Sequence, residues 1–154
     1  MILKRASIHL MLITTSLLLI IIPAINKTPS QQVAEKAMAA ATHFLFLIDT
    51  EEYLKSWEST SNALKNILPR DAWHEQITEI RQLLGPIIGR DHRDISYTRS
   101  SPDVPAGEYV VLTFFSQVRD RAFATETVTV KLGLDNIWRV AGYFVRYGDP
   151  PPDV

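Results

Sequence analysis

Gly85-Pro86 divides the sequence into two stretches with different hydrophobic periods, and any fold of this chain has to accommodate both. Upstream, Val33, Ala37, Ala41, Phe44, Leu45 and Ile48 recur at helical spacing, an apolar stripe of about four turns. Ser30 is placed to cap this first helix. Thr50 is placed to cap a second, with Glu51 and Glu52 at its positive end and Tyr53, Leu54 and Trp57 on its apolar face, extended by Leu64, Ile67 and Leu68. Pro69 opens a third helix, where a missing N–H is harmless, and Trp73, Ile77, Ile80 and Leu84 mark its buried face. Gly85-Pro86 then stops it.

Downstream the spacing becomes two. Residues 87–99 and 108–117 read as strands separated by the Pro- and Gly-containing loop 101–107. In 122–132, Ala124, Val128, Val130 and Leu132 alternate with Thr125, Thr127, Thr129 and Lys131, and Asp135-Asn136 turns the chain into a last strand from Trp138 to Tyr147. Helices followed by strands with short connections predict an α+β domain: three N-terminal helices packed on a curved four-stranded antiparallel sheet. A conical space between the sheet and the first helix is the expected ligand position. Trp57 and Trp138, in phase with apolar neighbours, are expected to be buried.

The N-terminus speaks to location. Lys4 and Arg5 precede an apolar run from Ala6 to Ile22, and Pro23-Ala24 ends it. Residues 1–25 therefore read as a cleaved signal peptide or a retained hydrophobic anchor helix in the inner membrane, and either reading puts the rest outside the cytoplasm: periplasmic, secreted or membrane-held. Residues 26–32 read as a linker, 33–147 as the single domain and 148–154 as a Pro-rich tail. No acid falls in residues 1–30, which hold Lys4, Arg5 and Lys27, so 31–154 carry 13 of the 16 basic side chains and all 17 acidic ones, a net charge of −4. That balance excludes nucleic acid as the expected partner. The absence of cysteine excludes disulfides, thiolate metal sites and a thiol nucleophile.

Several short segments together carry a family resemblance. Leu47-Ile48-Asp49-Thr50 with Tyr53 and Ser56-Trp57, Gly85 with Arg90, Pro105-Ala106-Gly107-Glu108-Tyr109-Val110, Glu126-Thr127-Val128 and Trp138-Arg139-Val140-Ala141-Gly142-Tyr143 resemble, in order, the bacterial family catalogued as domain of unknown function 4019. Leu134-Asp135-Asn136-Ile137 stands where an Asp-Gly-type turn is expected. The resemblance implies no activity. The layout is also similar to the cone of nuclear-transport-factor-2-like (cystatin-like) proteins, a likeness of fold that assigns no function.

Glu126 is the most informative polar residue. It shares parity with Ala124, Val128 and Val130, so it points to the apolar face of the sheet, where a carboxylate has to be paired, protonated or reached by water. Arg90 and Arg139 are the expected ion-pair partners, and a structural pair is the favoured reading. The competing reading makes Glu126 a catalytic acid or base beside Tyr53, Trp57 or Tyr143, the aromatics that would hold a ligand. His74-Glu75-Gln76-Ile77-Thr78 lacks the second imidazole of a helical zinc site, and His92 with Asp94 on one strand face supplies too few ligands, so no metal is expected. Without a glycine-rich phosphate loop or nucleophile elbow, no cofactor is implied. The sequence thus favours a non-catalytic binding or assembly module of the cell envelope, its partner a small molecule or an envelope protein. A small cone-fold hydrolase or dehydratase using Glu126 with a tyrosine is the alternative.

Overall fold

A computed structural model describes residues 27–99, 105–119 and 123–148. The leader (1–25) and the tail (149–154) lie outside the described residues. Within them the chain is α+β: α1 (Gln31–Asp49), α2 (Tyr53–Glu58), α3 (Asn62–Ile67) and α4 (Arg70–Leu84) precede β1 (Ile87–Thr98), β2 (Tyr109–Val118), β3 (Phe123–Leu132) and β4 (Trp138–Gly148). The strands form one antiparallel sheet in the order β1-β2-β3-β4, a meander.

The helical half differs from expectation in two places. The second expected helix is two short ones, because Thr60 leaves the helical path to bridge Val140 at the edge of β4, and the Ser61 N–H donates to the Val140 carbonyl at 2.7 Å. Ser61 then caps α3 by accepting from the Leu64 N–H. Thr50 caps no following helix; it closes α1, its hydroxyl donating to the Phe46 carbonyl at 2.9 Å, and Glu51 takes a left-handed turn with φ 62°. Two contacts tie down the segment ahead of α1. Lys27 exchanges two backbone hydrogen bonds with Tyr97 on the edge of β1, and Ser30 caps α1 through the Val33 N–H. At the other end of α4, Gly85 has φ 74°, a conformation that side-chain-bearing residues rarely adopt.

Ala37, Ala41, Phe44, Leu45 and Ile48 of α1 meet Val110, Leu112 and Phe114 of β2, Val128 and Val130 of β3, and Val140 and Tyr143 of β4 in the main core. Trp73 and Ile77 bring α4 into it. Trp138 is buried, whereas Trp57 is only half-buried, lodged by its indole N–H on the Leu68 carbonyl with Lys65 over its ring. The β3–β4 turn runs without Asp-Gly: Asn136, at φ 60°, takes the left-handed position, and Leu132 pairs with Trp138. The alternation along β1 is broken between His92 and Asp94, which lie opposite Phe114 and Thr113, so these two residues face opposite sides of the sheet rather than one. The His92 ring nitrogen instead contacts its neighbour's main chain, 2.9 Å from the Asp94 carbonyl.

Candidate functional site

Two clusters of polar side chains stand out, at opposite ends of the sheet. The first takes one residue from every strand. Arg90 of β1 lies opposite Ser116 of β2, and Glu126 of β3 lies diagonally between Ser116 and Tyr143 of β4. Glu126 is fully buried. Its Oε1 accepts from Arg90 Nε at 2.8 Å and from the Ser116 hydroxyl in a very short contact, while Oε2 accepts from the Tyr143 hydroxyl at 2.5 Å. The same guanidinium then grips Asp49, the last residue of α1, with Nη1 at 2.7 Å and Nη2 at 3.1 Å from its two carboxylate oxygens. Arg81 of α4 completes the chain through Nη2 at 3.1 Å from Asp49 Oδ1, with its Nη1 buried and without a hydrogen-bond partner in the described structure.

The clasp carries two arginines against two carboxylates. Burial works against the charge of Arg90, but the bonds to Asp49 and Glu126 outweigh it and raise its pKa. Burial, reinforced by the negative charge and hydrogen bond of Glu126, raises the Tyr143 hydroxyl well above its ordinary value, so it stays a donor. The Tyr143 ring is held edge-on by Phe44 at 5.4 Å.

Among the expected site residues, the structure brings Glu126, Arg90 and Tyr143 together and leaves the others apart. Arg139 does not partner Glu126: opposite Lys131, it pairs with Asp135 in the β3–β4 turn, at 2.9 and 2.7 Å. Tyr53 and Trp57 make no bond to the clasp. Tyr53 packs edge-on against His74 at 5.9 Å, and its carbonyl accepts from Trp73 Nε1 at 3.2 Å. Burial is the largest influence raising the Tyr53 hydroxyl, with Glu51 adding to it and Arg81 opposing.

Asp49, Arg81 and Ser116 escaped the sequence reading, though each left a trace. Asp49 is an acid at the negative end of a helix, where it is disfavoured unless paired. Arg81 falls four residues after Ile77 and three before Leu84, inside the apolar stripe, and Ser116 has the inward parity of Leu112 and Phe114.

The second cluster is a groove of about 210 Å³ where the first turns of α1 pass the β3–β4 hairpin. Val33, Leu132 and Trp138 supply apolar lining; Gln32, Lys36, Glu108 and Asn136 supply the polar groups. Lys36, the two carboxamides and the indole N–H have no hydrogen-bond or ion-pair partner among the described residues. Sequence reading missed this groove because its members come from three separated segments and none is out of place in its own element.

The chain matches, over residues 40–143, the family model described as a protein of unknown function, DUF4019. It belongs to that family. No curated protein matches it. Among solved structures, the chain is similar to Aln2 from a Streptomyces species, at 8% identity and a TM-score of 0.51 over 79% of this chain and 94% of that one. A 2.5 Å structure from Catenulispora acidiphila is similar at 10% identity and a TM-score of 0.49, over 75% and 91%. At such identities the likeness to Aln2 concerns the fold alone. Among the described residues of this DUF4019 protein, no helix is long and apolar enough to cross a membrane.

Proposed function

We propose that this DUF4019 protein is a non-catalytic binding module of the bacterial cell envelope, exported by its N-terminal leader and either released or held at the inner membrane. One observation carries the non-catalytic part: Glu126 is fully buried and both its oxygens are occupied by Arg90, Ser116 and Tyr143. A hydrolase or dehydratase needs its acid or base within reach of substrate, and here the carboxylate is consumed in holding four strands and two helices. The groove at α1, by contrast, presents polar groups that nothing in the described fold engages. Lys4-Arg5 and the apolar run to Ile22 support the export part.

Two measurements test this reading. Alkaline phosphatase, active only outside the cytoplasm, is fused after residue 148; an active fusion is expected, and an inactive one overturns the location. Native mass spectrometry of the protein taken from its own envelope fraction is expected to show a bound small molecule that is lost in a Lys36→Ala/Asn136→Ala double variant and kept in Arg90→Met. A bound species that follows Arg90 instead returns function to the clasp and revives the enzyme reading.

A further inference from the structure

The sheet has a second face that the core does not use: neither apolar cluster draws a side chain from it. Its centre belongs to β2 and β3, where Thr113 and Phe115 lie opposite Thr127 and Thr125. Phe115 stacks on Phe123 with ring centroids 5.1 Å apart, and Phe144 of β4 lies opposite Thr127, partly exposed. The outward face of an antiparallel sheet is ordinarily polar when water covers it. Here the middle is uncharged and partly aromatic, and the charges stand at the margins, which is the layout of a protein interface. A partner joining edge to edge has less to use. Lys27 bridges Tyr97 on β1 and Thr60 bridges Val140 on β4, so both outer strands are already partly paired.

The signs at the margins select the occupant. Asp91 and Asp94 of β1 lie opposite Phe115 and Thr113, and Arg146 of β4 lies opposite Thr125, so all three share this face. They are exposed, and their charged groups have no partner among the described residues. Arg93 is committed to the Phe115 ring at 5.4 Å, and Arg139 to Asp135. One row across the sheet therefore reads Asp91, Phe115, Thr125, Arg146, with an acid at one end and a base at the other. A second copy, turned about a twofold axis that runs parallel to the strands between β2 and β3, presents this row in reverse. Asp91 then stands over the partner's Arg146, Phe115 stands over the partner's Thr125, and symmetry makes each contact twice. Packed sheets lie about 10 Å apart, a gap that an aspartate and an extended arginine close together. A twofold axis along the row would instead set Asp91 over the partner's Asp91, like charge on like. Four strands of 10 to 12 residues, spaced about 4.8 Å apart and rising about 3.3 Å per residue, cover about 650 Å². Two such faces bury about 1,300 Å², within the range of specific complexes.

We infer that the chain forms a symmetric homodimer through this outer sheet face, with Asp91 and Arg146 paired across it at both ends of the seam. Sedimentation equilibrium of the full chain in a density-matched nonionic detergent is expected to show a concentration-dependent dimer. Asp91→Arg and Arg146→Asp each set like charges face to face, and each should weaken the dimer about tenfold or more. The double swap, Asp91→Arg with Arg146→Asp, should restore it. Thr127→Arg places a charge at the centre of the face and should leave monomers. Far-ultraviolet circular dichroism is expected to be the same for all these variants, which separates loss of the dimer from loss of the fold. A parent that stays monomeric at every concentration overturns the proposal. So does a dimer indifferent to Thr127→Arg, which would place the contact elsewhere, as between the apolar N-terminal runs. A dimer broken by Thr127→Arg but indifferent to both swaps, or one not rescued by the double swap, overturns the twofold arrangement. If Thr127→Arg does not fold, the two swaps and their rescue decide alone.

Discussion

The two ends of the sheet spend polar groups in opposite ways. At the β1-start end, Arg90, Glu126, Tyr143, Ser116, Asp49 and Arg81 are turned on one another, with Glu126, Ser116 and Tyr143 buried and Asp49 at the exposed rim. At the hairpin end, Gln32, Lys36, Asn136 and the Trp138 N–H have no partner in the described fold and border an open groove. Rarity of residue type does not distinguish them, since both use ordinary charged and amide side chains. Burial does: the clasp's groups are bonded to one another inside the fold, save Arg81 Nη1, whereas Gln32, Lys36 and Asn136 are exposed and open to solvent. Glu126, the residue most conspicuous in the sequence, belongs to the internally bonded end.

Removing the Glu126 charge should affect this contrast most. Glu126→Gln keeps the shape but removes the charge that accepts from Arg90, Ser116 and Tyr143, and since Arg90 keeps Asp49 it is expected to cost about 3 kcal/mol in denaturant unfolding, the lower end for a broken buried pair. Combined with Arg90→Met, the loss should be clearly less than additive; combined with Arg139→Met, it should be additive, because that arginine belongs to Asp135. A Glu126→Gln protein as stable as the parent would remove the structural role from the clasp.

Tyr143→Phe is the next smaller change. It deletes one hydrogen bond to a carboxylate, with an expected loss of about 1.5–3 kcal/mol. It also has a pH signature. The folded hydroxyl titrates above its ordinary value of 10.0, so its contribution is complete below pH 10 and declines as the unfolded chain ionises first on going more alkaline. Melts between pH 9 and 11, about the ordinary tyrosine range, should show a stability decline in the parent that is shallower in Tyr143→Phe.

At the other end, Lys36→Ala and Gln32→Ala should each leave stability within about 0.5 kcal/mol, the usual range for surface changes. A large loss from either would mean the groove is held by its own polar groups, erasing the contrast. The smallest effect belongs to Asp135, whose carboxyl is lowered from 3.8 to about 2, chiefly by its hydrogen bond to Arg139. A lowered pKa stabilises the fold above pH 3.8 and is lost as the pH falls through 2. Since Asp135 is exposed, the effect is best read directly, as an NMR titration midpoint that returns toward 3.8 in Arg139→Met.

Much of the fold was legible because periodicity is written locally. The inward parity of Glu126, the capping role of Ser30 and the stop at Gly85 all follow from neighbours within a few positions. The break between α2 and α3 was not legible, since its cause is Val140, eighty residues away from Thr60 in sequence. The choice of Arg90 over Arg139 was equally hidden. Both lie near the start of a strand, and only pairing across β2 places Arg90 beside Ser116 and so within reach of Glu126. Sequence patterning assigns a side chain to a face; which side chains meet there depends on alignment between strands.

That dependence has a consequence for how the strands find their alignment during folding. If β3 slipped by one residue against β2, its whole apolar set would turn to the outer face, and burial alone would reject the arrangement. A slip by two is harder to detect: parity is kept, Val128 would take the place of Val130, and a valine-for-valine exchange costs the apolar face little. The carboxylate of Glu126 does detect it. A two-residue slip moves it by about 6.6 Å along the strand, which carries it away from Ser116 and Arg90, two of its three donors. The clasp therefore penalises, across the β2–β3 seam, the one class of misalignment that hydrophobicity cannot see.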